Sequence, residues 1–89
     1  MISFDNEEAE YLRWVEAHPD GYVINAEKRA AGYHPYMVHR ASCASVKTDK
    51  RGNYTTLGYA KFCSMNREEL VHRGQQMSGS VSICSQCKP

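Results

Sequence analysis

The sequence predicts an α+β fold in which a small antiparallel sheet packs with an N-terminal helix and a second short helix. Three observations predict it: an amphipathic pattern near the N-terminus, three runs rich in β-branched and aromatic residues, and a helix-capping signature in the second half. The chain has 89 residues, so residues 1–89 are predicted to form a single domain. A domain of this size has a modest core and often depends on a metal, disulfides or a partner.

The first helix is predicted to begin near Asp5, because Asp5 is a good capping residue and Glu8 stands three positions later, as in a capping box. Helical spacing places the apolar residues of this segment on one face: Tyr11, Leu12 and Val15, with Trp14 beside them. The helix is predicted to end at residues 18–21 (HPDG). Proline disfavours helical geometry in the residue before it, and Asp-Gly favours a turn.

Residues 21–26 (GYVINA) and 36–39 (YMVH) are predicted to form two strands of a hairpin, connected by the polar segment 27–34. Residues 47–53 (KTDKRGN) follow as an exposed basic loop. Residues 54–62 are a third strand candidate, with Tyr59 and Lys61 on one face and Ala60 and Phe62 on the other.

The second helix is predicted to start at Asn66, which has Glu69 at capping-box spacing, and to end at Gly74. Residues 80–83 (SVSI) then form a short strand or extended segment that leads to Cys84. The predicted order is therefore helix, two strands, basic loop, strand, helix and a short return.

Composition and charge restrict the class of protein. No stretch approaches the roughly 20 apolar residues that a membrane span needs, and the acidic N-terminal residues lack the apolar segment of a secretory signal. We therefore expect a cytoplasmic protein, in which a cysteine cluster more often binds a metal or catalyses than forms disulfides. The net charge of +1 conceals an asymmetry: residues 1–20 contain six acidic residues and one basic residue, whereas residues 21–89 contain four and ten. Such a split indicates either a solvated acidic helix packed beside a mildly basic sheet or two faces with different functions.

Two closely spaced pairs of potential ligands occur far apart in the chain. The stretch HRASC contains His39 and Cys43, and the stretch CSQCKP contains Cys84 and Cys87. Zinc prefers tetrahedral coordination by thiolates and imidazole, and the two sulfurs of a CxxC pair reach one ion from a single turn. The sequence therefore predicts one structural zinc ion per chain, bound by His39, Cys43, Cys84 and Cys87. Such an ion contributes about 10–16 kcal/mol of apparent binding energy in zinc-finger peptides.

Other assignments of the cysteines stay open at this point. Cys63 would complete an all-thiolate site with Cys43, Cys84 and Cys87, or it is a small buried apolar residue. A thioredoxin-like redox pair normally begins a helix, whereas Cys87 is followed only by Lys88 and Pro89. A disulfide pair would require an oxidising compartment.

The pattern HxxxC followed by CxxCxP resembles the zinc-binding module of the Ada methylation-repair protein and related modules of bacterial nucleases. The matching positions are His39, Cys43, Cys84, Cys87 and Pro89, and the resemblance covers residues 36–89. In that family the first ligand is a zinc-bound cysteine that accepts a methyl group from DNA phosphate. Here that position is His39, so the methyl transfer does not carry over. The resemblance implies a zinc-held scaffold with nucleic-acid binding as an inherited function.

The function expected from the sequence is that of a non-enzymatic zinc domain, without catalytic residues, that contacts DNA or RNA. Sequence motifs of hydrolases and phosphate-binding loops do not occur, and no membrane or small-molecule partner is indicated. Cationic and aromatic side chains suit contacts to phosphates and bases. The candidates are Arg40, Lys47, Lys50, Arg51, Tyr54 and Lys61, with Tyr59 nearby. The alternative is a protein-interaction module or small inhibitor that acts through its acidic first helix, with aromatic anchors at Tyr11, Trp14, Tyr33 and Tyr36.

Overall fold

The computed structural model describes residues 1–29, 32–44, 46, 55, 58–78 and 81–89. In chain order the elements are β1 (Ile2–Asp5), α1 (Glu8–Ala17), β2 (Tyr22–Arg29), β3 (Gly32–Arg40), β4 (Tyr59–Ser64), α2 (Arg67–Ser78) and β5 (Ser82–Ile83). The predicted α+β class is confirmed. None of the helices in these residues is long and apolar enough to cross a membrane.

The five strands form one sheet in the order β1-β4-β2-β3-β5. The pairs β1–β4, β4–β2 and β2–β3 are antiparallel, and β2–β3 is the predicted hairpin, whereas β5 runs parallel to β3. The parallel pair arises because the chain leaves β3, adds β4 and α2, and returns to the free side of β3. This return brings the C-terminal CxxC pair to the strand that carries His39.

Each face of the sheet carries its own core because successive side chains on a strand point to opposite faces. On one face Val23 and Cys63 pack with Tyr11 and Val15 of α1. The other face packs against α2 through a second cluster: Ile24, Ala26, Val38, Phe62 and Leu70. Cys43 and Cys84 belong to the α1 face. The candidate ligands therefore lie at the edge of a packed core and not on an isolated loop.

Three of the strand predictions need correction. The hairpin strands extend to Arg29 and from Gly32, so most of the predicted connection 27–34 is strand. The third strand is Tyr59–Ser64 and not residues 54–62; Tyr54 lies outside the described residues. The first residues form β1, which pairs with β4, where the sequence pattern predicted only the approach to a helix.

The helix ends differ from prediction in two places and agree in two. Asp5 ends β1 and does not cap α1, whose N-cap position is Glu7. Gly74 lies inside α2, which continues to Ser78. Asn66 does cap α2, since its Oδ1 accepts the Glu69 N–H at 3.0 Å. The expected helix end at residues 18–21 is confirmed, because α1 stops at Ala17.

Candidate metal centre

Four side chains of the types that zinc prefers converge at one end of β3. The ligand atoms of His39, Cys43, Cys84 and Cys87 all lie within 4.8 Å of one another. Zinc–sulfur bonds of about 2.3 Å would place two tetrahedral sulfurs about 3.8 Å apart, so small side-chain adjustments suffice to surround an ion. His39, Cys43 and Cys84 are buried, and Cys87 is partly exposed.

The first pair of ligands is fixed by the end of β3 and the turn that follows it. His39 is the penultimate residue of β3 and is opposite Val23 on β2. The turn is tied down by two backbone hydrogen bonds: Ala41 N donates to Gly21 O at 2.9 Å, and Cys43 N donates to Arg40 O at 3.0 Å. This turn directs Cys43 back towards the face on which His39 lies.

The second pair is delivered by β5. Cys84 N donates to Val38 O at 3.0 Å, which continues the parallel pairing one residue beyond the strand and sets Cys84 beside His39. A turn then reverses the chain, closed by the bond from Lys88 N to Cys84 O at 3.1 Å. The CxxC pair thus forms one turn around the site, as the sequence predicts.

Backbone N–H groups surround the sulfurs of this turn. Those of Cys87 and Gln86 donate to the Cys84 sulfur and hold the pKa of the Cys84 thiol below its ordinary value. Arg40 N donates to Cys87 Sγ at 3.2 Å. Burial nevertheless raises the pKa of the Cys87 thiol to about 11. Hydrogen bonds to sulfur stabilise a thiolate, and a bound cation would remove the remaining protons.

His39 gives the clearest sign that a further group belongs in this site. Its Nδ1 atom is buried and has no hydrogen-bond partner among the described residues. An unsatisfied buried polar atom costs about 1–3 kcal/mol. Burial, and to a smaller extent the charge of Lys61, lower the pKa of His39 and so favour the neutral imidazole that metals bind. The residues present therefore fit a zinc ion.

Cys63 is separate from the cluster. It lies on β4, is completely buried, and packs in the α1-face core. Burial raises the pKa of its thiol to about 12, as expected for a cysteine that serves as a small apolar side chain. Of the two ligand sets left open by the sequence, the structure brings together the one that contains His39.

Of the six residues predicted to contact nucleic acid, the structure describes two, Arg40 and Lys61. The assignment of Lys61 to an exposed strand surface is wrong, since Lys61 is 1% exposed and its Nζ donates to Asn25 Oδ1 at 2.7 Å. It faces the α1 side, where Nζ lies 5.9 Å from the ring centroids of Tyr11 and Tyr59. Arg40 is exposed and contacts the C-terminal turn. The remaining candidates lie outside the described residues: Lys47, Lys50, Arg51 and Tyr54.

Comparison of the chain with protein-family models, with curated proteins and with solved structures finds no match. The resemblance to the Ada module therefore stays a prediction that rests on the spacing of five residues.

Proposed function

We propose that the chain is a small non-enzymatic domain whose fold is held together by one structural zinc ion bound to His39, Cys43, Cys84 and Cys87. The observation that carries this proposal is the convergence of three sulfurs and one imidazole within 4.8 Å. These side chains come from the end of β3 and from the turn after β5, so the ion would connect the C-terminal turn to the sheet.

The donor set favours a structural role over a catalytic one. Four protein ligands fill the tetrahedral shell of zinc, whereas catalytic zinc keeps one position for water or substrate. Three of the four ligands are buried, which also restricts access to the ion.

Native mass spectrometry of the purified chain tests this proposal. We expect one zinc ion per chain in the wild type and in Cys63→Ser, and no zinc in Cys84→Ser. The Cys63→Ser variant is the matched control because it removes a buried thiol outside the cluster. A wild type without metal, or a Cys63→Ser variant that loses it, would refute the proposed site.

We further propose that the basic segment of residues 47–54 contacts DNA or RNA. Its candidates are Lys47, Lys50, Arg51 and Tyr54. In support, described residues on both sides of the segment are held in place. Val46 N donates to Cys43 O at 3.1 Å and Val46 O accepts the Tyr11 hydroxyl at 2.6 Å, while Thr55 Oγ1 accepts Glu7 N at 2.8 Å. Because Val46 bonds to Cys43, an ion bound to Cys43 would also hold the residue that precedes this segment.

Charge reversal separates nucleic-acid contact from the alternative, a protein partner of the acidic helix. Exposed acidic residues of this helix region include Glu7, Glu10 and Glu16, whereas Tyr11 is buried and serves the core. The double variant Lys50→Glu/Arg51→Glu should weaken binding to a fluorescent oligonucleotide and reduce the slope of log K against log salt by about 2 for a duplex. The variant Glu7→Lys/Glu10→Lys should not weaken it. Unchanged oligonucleotide binding in the first variant would reject contact through this segment. No binding in the wild type would reject nucleic-acid contact and favour the protein partner.

A further inference from the structure

Arg40 lies between the ligands His39 and Cys43 in sequence and contacts the opposite half of the metal centre. Its backbone N–H donates to Cys87 Sγ at 3.2 Å. Its side chain donates twice more, from Nε to Cys87 O at 2.8 Å and from Nη2 to Lys88 O at 3.0 Å. One residue of the β3 end therefore makes three hydrogen bonds to two consecutive residues of the C-terminal turn.

These hydrogen bonds limit the movement of Cys87, the most exposed of the four candidate ligands. Cys87 is partly exposed, whereas the other three ligands are buried. The guanidinium group is planar and presents its N–H donors as a rigid fork, so two carbonyl contacts from it fix both the position and the direction of the turn. Loss of a metal ion begins with dissociation of one ligand, and the exposed Cys87 is the ligand that water and competing chelators reach first.

We propose that Arg40 is a positioning residue that keeps Cys87 on the metal and thereby sets the rate at which the ion is released. This inference rests on the proposed zinc site. It also assigns Arg40 a role different from the phosphate contact that its charge predicts, because two of its side-chain nitrogens already donate to backbone carbonyls.

The test compares zinc release from four proteins into an excess of a chromophoric chelator by stopped-flow absorbance. Outer-shell substitutions at metal sites typically cost about 10–100-fold in metal affinity. Because Arg40 is proposed to act on release, we expect this loss in the dissociation rate, so that Arg40→Gln releases zinc about 10–100-fold faster than the wild type. Arg40→Lys keeps the charge but not the fork, and should release zinc nearly as fast as Arg40→Gln. Arg67→Gln is the matched control: Arg67 Nε donates to Pro89 O at 3.0 Å, in the same terminal segment but not on a ligand residue. Its release rate should match the wild type.

The absorption spectrum of the Co²⁺ form is the second measurement. It should keep its thiolate-to-metal charge-transfer bands and its d–d bands in Arg40→Gln, which would show that the ligand set and its tetrahedral geometry survive. Release at the wild-type rate in Arg40→Gln, or equal acceleration in Arg67→Gln, would overturn the positioning role while the zinc site stands. A wild type that binds neither Zn²⁺ nor Co²⁺ would refute the zinc site and this inference together.

Discussion

Removal of the metal is expected to lower the melting temperature by more than about 20 °C or to unfold the domain at room temperature. A structural zinc ion contributes about 10–16 kcal/mol of apparent binding energy in zinc-finger peptides. This domain also has two hydrophobic cores, so zinc is expected to contribute less to its stability than to that of a zinc-finger peptide. A loss of only about 5 kcal/mol in the free energy of unfolding still lowers the melting temperature by about 20–40 °C in a domain of this size. Thermal unfolding followed by circular dichroism, with and without a strong chelator, measures the effect.

The matched pair Cys84→Ser and Cys63→Ser separates loss of the metal from loss of a buried thiol. Cys84→Ser should unfold at the temperature of the chelated wild type and should not respond to added zinc. Cys63→Ser should keep its response to the chelator, although burial of a hydroxyl in the core lowers its overall stability. A chelated wild type that melts within a few degrees of the zinc-loaded form would show that the cores alone support the fold.

Acid should act in the same direction as a chelator. The folded pKa of His39 is lowered, so below its ordinary value of 6.5 the unfolded chain binds a proton that the folded chain does not. Zinc binding must also displace the thiol protons of its ligands, so protons compete with the metal for the sulfurs as the pH falls. Both effects reduce the free energy of unfolding of the zinc-loaded protein as pH falls through 6.5 and below, and a series of melting curves at decreasing pH measures this loss.

The sequence carries enough information for the metal centre because the ligands are marked by residue type and spacing. HxxxC at a strand end and CxxC after a short return are both local patterns, and the structure brings their four residues together. The choice between His39 and Cys63 was not available from spacing alone. It depends on strand order. His39 and Cys63 both pair with Val23, but His39 lies on β3, beside β5, whereas Cys63 lies on β4, on the far side of β2.

The features that could not be predicted depend on long-range pairing. β1 pairs with β4, whose residues stand 55–61 positions later in the chain, and the alternation over Ile2–Asp5 is too short to predict a strand by itself. Lys61 alternates with Ala60 and Phe62 as expected, but α1 covers its face, so a residue typical of the surface is buried. The contact of Arg40 with the CxxC turn could have been predicted from the sequence. Arg40 stands between the candidate ligands His39 and Cys43, and a donor at that position is close to the other half of the site.

Gly74 allows α2 to pack closely on the face of the sheet opposite the candidate metal centre. A Cβ atom at this position would lie 2.6 Å from Val81 Cγ1 and 2.9 Å from Ile24 Cδ1, distances that require a side chain or the helix to move. α2 therefore approaches the sheet and the segment before β5 more closely than a residue with a side chain at position 74 would allow. Val81 stands three residues before Cys84, so we expect a displacement of Val81 to shift the segment that carries Cys84 and Cys87.

The variant Gly74→Val is expected to destabilise the zinc-loaded domain by about 1–3 kcal/mol through overpacking, or about 5–20 °C in melting temperature. It should also accelerate zinc release, because the strain falls on the β5 segment. Gln76→Val is the matched control, since it places the same side chain at an exposed position of α2. It lowers helix propensity and removes one exposed hydrogen bond of 3.4 Å from Arg73 Nη1, but it adds no contact with the sheet. Calorimetry and the chelator assay measure the two effects on the same samples. A Gly74→Val protein as stable as Gln76→Val would mean that α2 shifts without cost. A destabilised Gly74→Val protein with unchanged zinc release would mean that the two faces of the sheet are independent.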